Sequence, residues 1–257
     1  MEIRLLKSSF DDDGSASTRQ HTACFVVNGV AAFDAGSLAM AIGEDRPNVR
    51  DIVLSHTHLD HIAGLPLFID DLFSTLRSPI RVHASLTMIG ALRSHIFNDV
   101  IYPNFEEIKN EFGQVLEFRE YEFEVEFSVA GLSILPVKVN HNEPSAGFIV
   151  GDAIGTIALT GDTADTDAIW VAAGQRNDLR AIVVECAFPE SMTKLAATAR
   201  HLTPLGLKAE LEKLDRGDLP VYVANIKPMF REQVVAEIEE LGLSNVRIFP
   251  VGGVISV

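Results

Sequence analysis

The hexapeptide His56-Thr57-His58-Leu59-Asp60-His61, set directly behind the apolar run Asp51-Ile52-Val53-Leu54-Ser55, constrains this chain more than any other feature. The run predicts a short buried strand that delivers the histidines. Residues two apart at a strand end point to the same side, so His56 and His58 can converge on one ion. The turn that follows can swing Asp60 and His61 toward a second. Imidazole and carboxylate donors suit zinc, iron or manganese, and a pair of such ions can clamp a phosphoryl or carbonyl oxygen. With 8 histidines in 257 residues, chance assembly of this string is on the order of one in a thousand or rarer.

Around this string the pattern is mixed α/β. Thr22 to Val27 and Val30 to Asp34 are β-rich runs joined by Asn28-Gly29, a two-residue hairpin signal. From His61 to Leu76 the apolar residues recur at helical spacing. A strand follows at Ile80 to His83 and a helix at about Leu86 to Phe97. Strands are predicted over Val115 to Phe127, Leu132 to Val139, Gly147 to Val150 and Thr156 to Leu159. The C-terminal third alternates strands (Ala181 to Val184, Val221 to Ala224) with helices (Leu205 to Leu214, Phe230 to Leu241), and Val246 to Phe249 and Val254 to Val257 close the chain. Strand-rich blocks punctuated by helices in both halves predict two sheets face to face with helices outside, an αββα four-layer sandwich. No linker or short-period repeat interrupts the chain, so residues 1–257 are expected to form one domain.

Composition narrows the function classes. The net charge of −15 repels a polyphosphate backbone, and no basic arm offsets it, so a nucleic acid polymer is a poor partner and a small molecule a better one. No apolar run approaches a membrane span, and the N-terminus lacks the apolar core of a secretory signal. Cys24 and Cys186, each in apolar surroundings, read as buried core residues of a cytoplasmic protein.

With Gly64 behind it, the histidine string resembles the signature of the metallo-β-lactamase superfamily. That family completes its site with a later His, an Asp after an apolar strand, and a final His. His141 in Val139-Asn140-His141 and Asp162 in Leu159-Thr160-Gly161-Asp162-Thr163 match the first two. The resemblance implies two divalent ions, zinc first with manganese or iron as alternatives. One would sit on His56, His58 and His141, the other on Asp60 and His61, with Asp162 bridging and a hydroxide between the ions as nucleophile. The match departs at the last ligand. After Val221 to Ala224 the chain has Asn225-Ile226-Lys227-Pro228, and Asn225 joins the expected ligand set as a weaker donor than imidazole. A weakened second ion, a water in the vacant place and a reshaped site all remain open.

Other segments are similar to the class II cyclic-nucleotide phosphodiesterases of that superfamily: His58 to Leu65, His95 to Phe105, Glu185-Cys186-Ala187-Phe188-Pro189, His201-Leu202-Thr203-Pro204 and Asn225 to Pro228. This implies a phosphodiesterase acting on a cyclic nucleotide or other small phosphodiester. Lactone or thioester hydrolysis on the same centre and a non-catalytic di-metal sensor, a di-iron pair among the options, are the alternatives. Cleaving a cyclic phosphodiester needs an acid for the leaving ribose oxygen, for which His201 is the candidate, oriented by Glu185. With Asp60 these make up the expected catalytic set. Asn98, Tyr102 and His201 are candidates for seating the substrate. His21 falls where it could reach the metal pocket, and His83 reads as a satisfied histidine beside the core. The resemblance allows a homodimer, and no segment specifies an interface.

Overall fold

In the computed structural model of the protein, residues 1–257 are described except Glu143 and Asp215. The first sheet begins with β1 (Glu2–Leu5), then the hairpin β2 (Phe25–Val27) and β3 (Ala31–Phe33), whose turn residues Asn28 and Gly29 take φ of 50° and 67°. A one-turn helix α1 (Leu38–Ala41) leads to β4 (Asp51–Val53), and then come α2 (Leu59–Ile62), α3 (Leu65–Leu72), β5 (Ile80–Ala84) and α4 (Leu86–His95). A small separate hairpin, β6 (Lys109–Asn110) with β7 (Gly113–Gln114), precedes β8 (Leu116–Glu120). The second sheet takes β9 (Phe127–Val129), β10 (Leu132–Lys138), β11 (Ala146–Gly151) and β12 (Thr156–Leu159), then, after α5 (Ala168–Gly174), β13 (Leu179–Glu185). Helices α6 (Thr193–Ala199) and α7 (Pro204–Glu212) precede β14 (Val221–Ala224). Helix α8 (Arg231–Glu240) and β15 (Val246–Ile248) follow, and β16 (Val254–Ser256) returns to the first sheet beside β1. The spatial orders are β16-β1-β2-β3-β4-β5-β8 and β15-β14-β13-β12-β11-β10-β9.

The two sheets pack face to face. Phe33 and Tyr121 from the first side meet Phe148 of β11, with ring centroids 5.4 Å and 6.0 Å apart. Alternation along β13 explains why both faces of the second sheet are covered. Ala181 and Val183 point into the inter-sheet core, while Ile182 and Val184 face an outer core with Trp170 of α5, Leu207 of α7 and Val234 of α8. A parallel strand buried on both sides reads as the continuous apolar run seen here. The result is the expected four-layer arrangement, helix on sheet on sheet on helix.

Two expectations are corrected. Val115 to Phe127 is not one strand. Its alternation of Glu with aromatic residues looks like a half-exposed strand, but Glu124 turns at φ 64° and the chain crosses there from β8 in one sheet to β9 in the other. Tyr121, inside the crossing, is pinned by its hydroxyl donating to the Leu54 carbonyl at 2.9 Å. The helix expected from His61 to Leu76 is broken into α2 and α3 at Gly64, where a Cβ would stand 2.5 Å from the Ala35 carbonyl oxygen. The structure adds three short elements for which the sequence analysis gives no expectation, β1, α5 and α6. Strand β1 is held by pairing with β2 and β16 rather than by its own pattern.

The topology directs one edge of the sandwich toward chemistry. Strands β10, β12, β13 and β14 all run the same way, since β10 and β12 both lie antiparallel to β11 and β13 and β14 parallel to β12. Their C-terminal ends, with that of β4, deliver His141, Asp162, Glu185, Asn225 and His56.

Candidate metal centre

The backbone carrying the histidines is clamped from below. His58, in extended conformation, caps the one-turn helix α2. The carbonyl of Asp60 accepts from Ala23 N at 2.9 Å and that of His61 from Ala35 N at 2.7 Å. Gly36 lies so close beneath that a Cβ there would fall 1.9 Å from the Asp60 carbonyl oxygen, so only glycine permits this packing.

Hydrogen bonds behind the rings fix their tautomers. Ser55 Oγ donates to Asp34 Oδ2 at 2.7 Å, so its contact of 3.0 Å with His56 Nδ1 requires the imidazole to donate. His61 Nδ1 donates to the same Asp34 oxygen at 2.7 Å, and His141 Nδ1 to the Arg200 carbonyl at 2.9 Å. Three histidines thus carry their proton on Nδ1 and turn Nε2 inward, an arrangement suited to metal ligands. The Nε2 atoms of His56 and His61 are buried and have no hydrogen-bond partner, which in a protein interior calls for a ligand. His141 Nε2 lies 3.1 Å from His58 Nδ1, a separation compatible with two nitrogens of one tetrahedral coordination sphere at about 2.0–2.1 Å from the ion.

The ligand-type atoms gather in three compact groups among the described residues: His56, His58 and His141; His56, His61 and Asp162; His141, Asp162 and His201. Imidazole-rich sets with one carboxylate fit a divalent ion. Asp60 is less centred, its Oδ2 standing 3.9 Å from His61 Nε2 and 3.5 Å from Lys227 Nζ.

Burial and charge set the proton affinities. Burial pushes the His56, His58 and His141 values below the ordinary imidazole range, keeping these rings neutral and their lone pairs available. For His61 burial acts in the same direction, but Asp162 and Asp34 outweigh it and raise the value well above the ordinary one. Asp162 is correspondingly held well below the usual carboxylate range, against its burial, by His61 and neighbouring histidines.

Glu185 ends β13 fully inside. Its Oε1 accepts from Thr163 N at 2.8 Å and from His201 Nδ1 at 2.6 Å, and Oε2 from Leu202 N at 3.3 Å. One carboxylate therefore orients both the loop carrying Asp162 and the His201 ring. His201 lies between α6 and α7, ahead of the helix rather than at its start, and its ring is 4.8 Å from that of His141. Burial opposes charge on His201, yet Glu185 raises its value; burial raises that of Glu185 as well. The pair holds its proton more tightly than either group alone.

Asn225 sits after β14 at φ 54°. Its side chain is 2.5 Å from Asp162 Oδ1; two oxygens would repel at that distance, so the amide NH2 faces the carboxylate. The expected oxygen ligand is a hydrogen-bond donor here. Asn98 and Tyr102 make their contacts elsewhere. Asn98 bonds the Ser94 carbonyl and the Val100 and Ile101 amides, and the Tyr102 hydroxyl donates to Asp70 at 3.1 Å. His21 is exposed beside Arg19, Met229 and Arg231 in an open groove, and His83 is bonded to Asp51. Sequence reasoning missed Lys227, Asp34 and Ser55. The last two are marked only by position, at the end of the hairpin and just before His56. Both cysteines are free and buried. No helix among the described residues is long and apolar enough to cross a membrane.

A family model described as class-II cAMP phosphodiesterases matches residues 28–237. A Yersinia pestis protein named as a probable 3',5'-cyclic-nucleotide phosphodiesterase is 25% identical over 214 residues, covering 73% of this chain; the chain spans only 60% of that relative's length. Among solved structures, unliganded yeast PDE1 superposes with a TM-score of 0.75 at 19% identity, covering 98% of both chains. The metallo-β-lactamase fold protein YhfI from Bacillus subtilis does so with a TM-score of 0.72 at 14% identity, covering 99% of this chain and 98% of its own.

Proposed function

Because the chain belongs to the class-II cAMP phosphodiesterase family, we propose that it hydrolyses the phosphodiester of a cyclic nucleotide or a similarly small diester. The observation carrying this reading is the pair of buried, unpartnered Nε2 atoms of His56 and His61 beside His58, His141 and Asp162. His56, His58 and His141 would hold a divalent ion, zinc by the donor chemistry, with manganese or iron also suited. Such an ion supplies Lewis acidity toward a phosphoryl oxygen.

The chain's own groups account for the rest. Water attacks phosphorus in line as the bond to the ribose oxygen breaks; that oxygen must take a proton, and the one shed by the attacking water returns the donor to its protonated form. His201 is the group that supplies it, aimed by Glu185 through Nδ1 at 2.6 Å so that Nε2 is left for the substrate side. Lys227, held at Asp60, brings a positive charge to the site of an otherwise acidic protein and would pair with a phosphate oxygen. Asp60 acts by keeping that ammonium in place. Asn98 and Tyr102, whose polar atoms serve their own loop, are given no part in this reading. The same reading takes residues 1–257 as one domain, since a single core joins both sheets and the two chain ends pair in β1 and β16.

Purified protein assayed with zinc, manganese or iron against cyclic AMP, bis-p-nitrophenyl phosphate and a lactone panel tests the proposal. Turnover of the phosphodiesters is expected. Turnover of lactones alone would overturn it.

A further inference from the structure

The expected second ion meets an incomplete donor set, with Asn225 in place of its last histidine. Each of its carboxylates has one oxygen engaged: Asp162 Oδ1 by the Asn225 amide at 2.5 Å, and Asp60 Oδ2 by the Lys227 ammonium at 3.5 Å. Asp60, His61 and Asp162 do not form one of the compact ligand groups among the described residues.

The groups that do form are not independent. The first and second share His56, the first and third share His141, and the second and third share Asp162. Both shared histidines have Nδ1 committed, to Ser55 and to the Arg200 carbonyl, so each offers one nitrogen, and one nitrogen serves one ion. Asp162 could bridge only through Oδ2, which lies 3.2 Å from His61 Nε2.

We propose that this centre holds a single divalent ion, and that the Asn225 amide and the Lys227 ammonium stand where a second ion would act on Asp162 and Asp60. The inference rests on the three-histidine site assigned above and sharpens its metal content. Lys227 then brings to Asp60 the positive charge that a second ion would otherwise supply. A cavity of about 30 Å³ lined by Asn225, Asp162, His61 and Glu185 leaves space in which a longer imidazole at position 225 would reach Asp162. Histidine also tolerates the left-handed backbone found there.

The full chain is loaded with excess zinc, desalted and analysed for zinc per chain, and in parallel apo protein is titrated with cobalt while the visible absorption is followed. About one zinc per chain and a cobalt end point near one equivalent are expected for the wild type, and about two zinc for Asn225→His. Two ions on the wild type would overturn this inference while leaving the phosphodiester assay untouched. One ion on both proteins would remove Asn225 as the cause and overturn it too. No retained zinc would overturn the three-histidine site itself. If Asn225→His fails to fold, the wild-type cobalt end point still decides.

Discussion

Strand β4 carries a histidine–carboxylate cluster at each end, and the two are built on opposite rules. At its start, Asp51 is saturated. Arg81 Nε donates to Oδ1 at 2.7 Å, Arg81 Nη2 to Oδ2 at 2.5 Å and His83 Nε2 to Oδ1 at 2.8 Å, and the His83 ring stacks on Phe127. Beyond its other end, His56 and His61 use Nδ1 to hold Ser55 and Asp34 respectively, and neither Nε2 makes a hydrogen bond, that of His61 facing Asp162 Oδ2 at 3.2 Å. Both clusters are buried and both join imidazole to carboxylate. Only the second keeps lone pairs aimed at a shared point. A saturated cluster fits a part in holding the fold, and several neighbouring imidazoles with free Nε2 atoms fit a ligand site.

The sharpest way to break this comparison is His56→Ala. Metal content should fall to background and phosphodiester turnover with it, by more than the about 10²–10⁴-fold typical of losing an acid catalyst, and the thermal stabilisation that zinc gives the wild type should disappear. Retained zinc at the wild-type level would show that the vacancy has another purpose. His201→Asn should come next, with turnover lower by about 10²–10⁴-fold and zinc content unchanged. The acid must be protonated to act, and Glu185 raises the His201 value above the ordinary one despite burial. Wild-type activity should therefore persist above the usual imidazole range and decline as pH rises through the raised value. The variant should lack that alkaline limb, and a limb of unchanged position would assign the proton to another group.

Asp34→Asn tests the link between the two rules. The carboxylate accepts Ser55 N on Oδ1 and both Ser55 Oγ and His61 Nδ1 on Oδ2; an amide has only one acceptor oxygen and would turn its NH2 toward one of these donors, so ring orientation loosens. Zinc affinity should drop about 10–100-fold, read by competition with a chelator, and an unchanged affinity would show that the rings are held by packing alone.

What the sequence made legible follows the same division. The candidate ligands His56, His58, His141 and Asp162 stand at the ends of apolar strands with distinctive chemistry, and Asn28-Gly29 fixes its hairpin locally. The parts missed are those decided by long-range packing. Lys227 reaches Asp60 only because β14 ends beside β13 on the second sheet while Asp60 belongs to the first. The alternation from Val115 to Phe127 is equally compatible with one strand or two, and the crossing is settled by the burial of Tyr121 rather than by local propensity. That the Asn225 amide donates to Asp162 follows from a side-chain distance that no pattern encodes.

Asp51 offers the smallest effect and the control for the whole comparison. Burial alone would raise its value, but the bonds from His83 and Arg81 outweigh it and hold it at about 2, below the ordinary 3.8. A carboxylate with a depressed value contributes stability that is fully present above its unfolded value and is lost as pH falls through the folded one. Arg81 is a third exposed, so solvent screening reduces the contribution to about 1–2 kcal/mol. Asp51→Asn should lower the urea-unfolding free energy by that amount at pH 7, and the gap from the wild type should close between pH 3.8 and about 2. Zinc content should not move at all. Loss of zinc in this variant would mean that the two ends of β4 are coupled, and that a saturated cluster can serve the centre through the strand it anchors.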